Sequence, residues 1–215
     1  SRSFPEDKFE RVPAGSRADI YIINTCSVTD AADRKCRQAI KKFIALSPGA
    51  FIAVVGCYAQ LKPKEISSIP GVDLILGTNE KFDIAGYLSD SAKRAVAEIH
   101  SCDLSCSSGF NNSYSLGDRT RSFLKVQDGC DYGCSFCTIP LARGKSRSAE
   151  IHDIVAQAKQ IAESGVKEIV LTGVNIGDFG KGETGGKSKN ENFLDLIKAL
   201  DEVEGIERFR ISSIE

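Results

Sequence analysis

Phe123-Leu124-Lys125-Val126-Gln127-Asp128-Gly129-Cys130-Asp131-Tyr132-Gly133-Cys134-Ser135-Phe136-Cys137 is the segment on which the reading of the fold turns. Phe123–Val126 is a short apolar run of the kind that forms a buried strand. The loop behind it holds two glycines and three thiols, with three and then two residues between the cysteines. Downstream the pattern stays regular. Ser148 can cap a helix over about 149–164, with Glu150 in its positive first turn. Ile151, Ile154, Val155, Ala158, Ile161 and Ala162 share one face of that helix, and Gly165 supplies a stop. Glu168–Leu171 reads as a strand, 193–203 as a helix and Ile206–Ile211 as a third strand. Strand and helix alternate, which is the grammar of an α/β protein with a parallel sheet. If the parent fold is a barrel of parallel strands, residues 119–215 hold only part of it.

Upstream the same grammar appears once more. Residues 1–17 are polar and contain two prolines, and read as a loop or a cut end. Tyr21-Ile22-Ile23 reads as a strand and Ser27 as the cap of a helix to about Leu46. Val28, Ala32, Cys36, Ala39, Ile40, Phe43 and Ile44 form its apolar face, and Pro48-Gly49 ends it. Phe51–Val55 and Val72–Leu76 are further strands, Ile66–Pro70 a connector, and Lys81–Leu88 a short helix. These elements give a domain over 18–88. Residues 89–118, rich in Ser, Asn, Gly and Asp, read as a linker.

Composition sets the outer limits. The chain has 215 residues with 28 basic against 29 acidic side chains, so no global positive field marks it for DNA or RNA. Any nucleic-acid contact has to be local. Hydrophobic residues make up 41%, an ordinary globular share, and no apolar run approaches the roughly 20 residues a membrane helix needs. The chain opens at Ser1, has no methionine and shows no charged-then-apolar leader. We therefore expect a piece of a longer, cytoplasmic protein. Eight cysteines without a secretion signal point to metal or redox chemistry rather than to a disulfide framework.

Cys130, Cys134 and Cys137 carry the strongest signal. Three thiolates this close can hold an iron–sulfur cube by three corners and leave the fourth iron open. A zinc site completed by a distant residue, or three free thiols, is the alternative. Cys26 and Cys57 each follow a strand, so both fall at the carboxyl edge of a parallel sheet, where ligand crevices form. Neighbouring strands lie about 4.8 Å apart, so their sulfurs could share a site; ordinary buried cysteines are the competing reading. Cys36, on the apolar helix face, reads as core, and Cys102 and Cys106 as incidental exposed thiols, with a surplus metal site or a disulfide as the alternative. Arg143, Lys145 and Arg147 form a local basic cluster that could meet a phosphate backbone or could simply be solvated. Gly180–Gly186 with Lys181 and Lys187 does not have the glycine-to-lysine spacing of a phosphate loop, which excludes a nucleotide-hydrolase reading. His100 and His152 are isolated.

The CxxxCxxC loop after the first strand of an α/β run resembles the radical S-adenosylmethionine (SAM) enzymes. Lys125-Val126-Gln127-Asp128-Gly129-Cys130, Cys137-Thr138-Ile139-Pro140 and Leu141-Ala142-Arg143-Gly144-Lys145-Ser146-Arg147-Ser148 make the chain similar to the methylthiotransferases. Asn24-Thr25-Cys26-Ser27-Val28 and Gly56-Cys57-Tyr58-Ala59-Gln60 resemble the N-terminal domain of the same family. The match runs from about Ala18 to Glu215 and leaves 89–118 unmatched. The resemblance implies a flavodoxin-like first domain, then the first part of a radical SAM (βα)6 partial barrel. It implies two 4Fe–4S clusters. One sits on Cys130, Cys134 and Cys137 and binds SAM. The other, auxiliary, sits on Cys26, Cys57 and a cysteine without a counterpart here, expected upstream of Ser1. It places Phe136 beside the adenine of SAM, and Gly173 and Asn175 where the methionine end is received. It implies a methylthio group added to carbon 2 of N6-threonylcarbamoyladenosine beside the anticodon of tRNA, with an electron donor such as flavodoxin or ferredoxin. Sister branches act on isopentenyl-adenosine in tRNA or on a ribosomal-protein aspartate. An electron-transfer or redox-sensing iron–sulfur protein, and a zinc-stabilised interaction module, are the rival classes.

Overall fold

A computed structural model describes residues 4–5, 7–27, 29–88, 91–104, 109–115, 120–181 and 191–214. It divides into two compact units, Ser1–Cys106 with Phe136–Ala142, and Ser107–Ser135 with Arg143–Glu215. Cys106, Val28 and most of the glycine run, with Lys187, lie outside the described residues.

The first unit is a four-stranded parallel sheet in the order β1-β2-β3-β4. Its strands are β1 (Ile20–Thr25), β2 (Phe51–Gly56), β3 (Leu74–Leu76) and β4 (Glu98–His100). Every residue of β2 is buried. Ile52 and Val54 pack with Tyr21, Ile40 and Tyr58 on one face, while Phe51, Ala53 and Val55 pack with Leu76, Ile84 and Leu88 on the other. A sheet covered on both faces selects continuous apolar strands rather than alternating ones, as the run Phe51–Val55 shows. Helix α1 (Asp30–Leu46) covers the first face, and α4 (Ile84–Tyr87) contributes to the second.

The strand β4 lies inside the stretch expected to be a linker. Asp73, fully buried, explains its docking: Oδ2 accepts from the Ile52 N–H at 2.8 Å and from Lys93 Nζ at 2.7 Å, and Oδ1 accepts from the Arg94 N–H at 2.8 Å. Lys93 Nζ also donates to the carbonyls of Ala50 and Gly71. A buried carboxylate with a cation and two N–H donors has its desolvation offset, so 93–94 is pinned and 98–100 pairs with β3. Residues 57–67, which the expected connector at Ile66–Pro70 only overlaps, form two short helices, α2 (Cys57–Leu61) and α3 (Pro63–Ser67).

The second unit bears out the βαβαβ reading. A short helix, α5 (Ile139–Arg143), follows the thiol loop. The strands β5 (Arg121–Lys125), β8 (Glu168–Thr172) and β9 (Arg208–Ile211) form a parallel sheet in the order β5-β8-β9, with crossover helices α6 (Ile151–Glu163) and α7 (Phe193–Asp201). Leu124, Ile154, Ala158, Ile161, Ile169, Leu171, Leu196 and Leu200 close one core. Among the described residues the sheet does not close into a barrel.

Two expected caps are corrected. Thr29, not Ser27, caps α1: its hydroxyl accepts from the Ala32 N–H at 3.1 Å. The Ser27 hydroxyl is used elsewhere, donating to Asp33 Oδ1 at 2.7 Å. Ser148 lies in a hairpin strand, β7 (Arg147–Ser148), paired antiparallel with β6 (Gln127–Asp128). Its hydroxyl accepts from the Gly180 N–H, and α6 starts after Glu150 without a side-chain cap.

Candidate metal centre

The β6–β7 hairpin closes the base of the thiol loop. Gly129 has φ +73°, and a Cβ there would meet the Lys145 carbonyl oxygen at 2.0 Å, so only glycine fits. The Cys130 N–H donates to the Gly144 carbonyl at 3.1 Å, and the Ser146 N–H to Asp131 Oδ1 at 2.9 Å. Beyond these anchors the loop opens: residues 131–136 are all exposed, Phe136 at 98%.

Asp128 holds the hairpin from below. Lys125 Nζ lies 3.3 Å, Arg143 Nη1 3.3 Å and Arg147 Nη2 3.6 Å from its carboxylate, and the Gly129 N–H donates to Oδ1 at 2.9 Å. Burial pushes the Asp128 carboxyl up, but the three cations and the N–H outweigh it and hold it below the ordinary carboxylate range. Arg147 is buried and also donates to the carbonyls of Arg143 at 2.7 Å and Lys145 at 3.1 Å. Of the expected basic cluster, then, Arg147 faces inward as a structural clasp, Arg143 is half-buried against Asp128, and Lys145 is exposed.

Cys130 and Cys137 are half-buried and Cys134 is exposed; all three are free thiols. Among the described residues no three His, Cys, Asp or Glu side chains stand close enough to hold a metal ion. Cys130 and Cys134 fall in the second unit and Cys137 in the first. The donor set, however, fits an iron–sulfur cube: three soft ligands on an open loop with a clamped base. Asn175 is buried, and its side chain is spent locally, accepting from the Gly177 N–H and donating to Asp178 Oδ2. The Asn175 amide is therefore committed within its own turn. An open cleft of about 370 Å³ lies beside it, lined by Tyr114, Phe123, Lys125, Gln127, Thr172 and Gly173 among others.

At Cys26 and Cys57, sheet register plays the part that the clamped loop plays at Cys130 and Cys134. Thr25 of β1 pairs with Gly56 of β2, so Cys26 and Cys57 each stand one residue past matched strand ends. Gly56 has φ +104°, and a Cβ there would lie 2.5 Å from the Thr25 carbonyl oxygen, so the two strand ends approach as closely as backbone allows. Cys26 is exposed and Cys57 buried. Cys36, expected in the core, packs against it and donates its thiol to the Cys26 carbonyl at 3.5 Å. Cys102, expected as an exposed thiol, is half-buried past the end of β4. Its N–H donates to Glu80 Oε1, its carbonyl accepts from Gln60 Nε2, and Asn79 Nδ2 lies 3.4 Å from its sulfur. Gln127 and Asp128 were not singled out from the sequence. An Asp-Gly pair directly ahead of the first thiol was the signal available for Asp128.

Comparison with known proteins follows this division. Residues 1–77 match a family described as Uncharacterized protein family UPF0004, and residues 124–214 match the Radical SAM superfamily. The chain is 41% identical over 99% of its length to the threonylcarbamoyladenosine tRNA methylthiotransferase MtaB of Bacillus subtilis, covering 47% of that protein. It is 37% identical over 98% of its length to the protein of the same name from Aquifex aeolicus, covering 50% of it. A tRNA-2-methylthio-N(6)-dimethylallyladenosine synthase of Clostridium tetani is 32% identical over 91% of the chain, with 44% of that relative covered. The chain spans about half the length of the curated relatives it matches.

Proposed function

We propose that this chain, which belongs to the radical SAM methylthiotransferases, adds a methylthio group to carbon 2 of N6-threonylcarbamoyladenosine beside the anticodon of tRNA. The radical SAM family implies a 4Fe–4S cluster and SAM. The observation that carries the reading is the clamped loop with three free thiols, in a chain 41% identical to a protein of that named activity.

Cys130, Cys134 and Cys137 would hold three irons of a 4Fe–4S cluster. Held there, such a group would supply the one-electron reductive cleavage of SAM that radical chemistry needs. A radical is needed because carbon 2 of an adenine bears a C–H bond that no side-chain base could deprotonate, and the cofactor carries that step. The chain's own residues orient and shelter. Phe136, fully exposed at the loop tip, is free to lie against an adenine face. The turn from Gly173 to Asn175 would receive the methionine end of SAM. Cys26 and Cys57 would hold the auxiliary cluster that supplies sulfur, with a further ligand from outside this chain. Lys145 and Arg143 are the candidates for the RNA backbone, and a loop nucleotide splayed from its stack would present carbon 2. A small electron carrier such as flavodoxin or ferredoxin would provide the reducing electron. On this reading residues 18–88 form the auxiliary-cluster domain and 119–215 the radical SAM domain. No helix among the described residues is long and apolar enough to cross a membrane.

The Clostridium tetani relative favours one second reading, the same transfer onto dimethylallyladenosine. The test is anaerobic reconstitution of the full-length protein, a low-potential reductant and SAM, with the nucleosides of added tRNA analysed by mass spectrometry. Methylthio-threonylcarbamoyladenosine is the expected product. Methylthio-dimethylallyladenosine would select the second reading, and iron uptake without SAM cleavage would select a plain electron-transfer protein.

A further inference from the structure

One buried side chain joins the thiol loop to the turn after β8. Gln127 is 1% exposed. Its Oε1 accepts from the Val174 N–H at 2.7 Å and the Asn175 N–H at 3.0 Å. Its Nε2 donates to the Gly129 carbonyl at 2.7 Å, the Ser146 hydroxyl at 3.0 Å and the Asp128 carbonyl at 3.3 Å. The orientation of the amide is fixed by its surroundings. Two N–H donors face the oxygen and two carbonyls face the nitrogen, so the flipped amide would set like against like at both ends. The turn also packs flush on this side chain. A Cβ at Gly173 would meet Gln127 Oε1 at 2.9 Å and Gln127 Cβ at 3.1 Å.

These contacts tie together two places that the proposed function assigns to one ligand. Gly129 directly precedes the first loop thiol, and Gly173–Asn175 is the turn assigned to the methionine end of SAM. We propose that Gln127 is a positioning residue: its amide sets the span between the cluster loop and the SAM-receiving turn, and so the fit of SAM to both at once. The inference rests on that reading of loop and turn. No other residue type serves both ends. Glutamate keeps an acceptor for Val174 and Asn175 but sets a second oxygen against two carbonyls. Methionine has similar length and satisfies neither end. Because the bridge is buried and made of charge-neutral groups, its loss should loosen the geometry without altering the charge around the thiols.

The test uses the reconstituted full-length protein with three readouts: iron content, the SAM-induced shift in the EPR signal of the reduced cluster, and hydrogen exchange at the Val174 and Asn175 amides. With Gln127→Met, iron content should stay at the wild-type level, SAM affinity should fall at least tenfold, and the two amides should exchange faster while Val170 within β8 stays protected. Gln127→Glu should keep the two amides slow yet still weaken SAM binding, because it sets a carboxylate against the loop carbonyls in place of the donating amide. This variant also covers the case in which Gln127→Met does not fold. Wild-type SAM affinity in both variants at full iron content would overturn the proposal, as would unchanged amide exchange in Gln127→Met. Failure of the underlying reading looks different: the wild-type protein itself would take up iron and show no SAM-dependent shift.

Discussion

Two regions of the chain place cysteines past the carboxyl ends of parallel strands, but by different means. Cys26 and Cys57 come from distant points in the chain and are set by sheet register, with Thr25 opposite Gly56. Cys130, Cys134 and Cys137 come from one loop whose base is clamped at Gly129 and Cys130 and whose residues 131–136 are exposed. Register fixes thiols before any ligand arrives. An exposed loop holds its thiols only through its clamped base. Were a metal to bind such a loop, its uptake would be coupled to local folding there.

The comparison breaks most sharply if the thiols are removed one region at a time. In the reconstituted full-length protein, Cys134→Ala should abolish SAM cleavage to 5′-deoxyadenosine. Cys57→Ala should leave cleavage running while methylthio transfer to tRNA disappears. Counting 5′-deoxyadenosine and modified nucleoside in the same reaction checks both. Loss of cleavage in the two variants alike would mean that the regions do not divide the chemistry.

Each unit also hides an aspartate with cationic partners: Asp73 under β4 with one, Lys93, and Asp128 under the thiol loop with three. Asp128→Asn leaves Lys125, Arg143 and Arg147 facing one another without their shared anion. The expected cost is about 3 kcal/mol in urea unfolding of the second unit, at the lower end for a broken buried pair because Arg143 is partly solvated. The pH dependence has a definite sign. The Asp128 carboxyl titrates lower in the folded than in the unfolded chain. Its contribution is therefore complete above the unfolded value of about 3.9 and is lost as pH falls through the folded value. The gap between wild type and Asp128→Asn should be constant near neutrality and shrink below about pH 4.

Glycine substitutions sharpen the contrast between the clamped base and the open tip of the same loop. Gly129→Ala forces a left-handed backbone on alanine and drives a Cβ into the Lys145 carbonyl, so more than about 2 kcal/mol should be lost, together with iron uptake. Gly133→Ala meets nothing within 4 Å and should cost under about 0.5 kcal/mol. Urea midpoints and iron content measured on the pair check this directly. Equal effects would mean that the tip is as constrained as the base.

What the sequence revealed follows the same local-versus-distant line. The thiol loop was legible because its ligands, glycines and strand are contiguous. The βαβαβ run was legible because α6 and α7 carry clean helical periodicity and the strands are apolar. β4 was not, since Glu98-Ile99-His100 has one apolar residue and docks because Lys93 reaches Asp73, 20 residues away. Gln127 was silent for a similar reason: its partners Val174 and Asn175 lie 47 and 48 residues downstream. Ser27 and Ser148 misled because a serine at a strand end looks like a cap wherever a helix follows. Only the fold shows that Asp33 and Gly180 claim their hydroxyls first.

That last distinction gives the smallest effect, at the start of α1 behind Cys26. Thr29→Ala removes the acceptor of the Ala32 N–H and should cost about 1 kcal/mol, with faster hydrogen exchange at Ala32. Ser27→Ala should leave exchange at Ala32 unchanged, because its hydroxyl serves Asp33, which retains Lys62 at 2.7 Å. Faster exchange at Ala32 in Ser27→Ala would restore Ser27 as the cap. Neither change touches the loop from Gly129 to Cys137, so SAM cleavage should hold in both. Any loss in Thr29→Ala should fall on methylthio transfer, because the fraying turn leads from the Cys26 segment and α1 supplies the Cys36 thiol that bonds the Cys26 carbonyl.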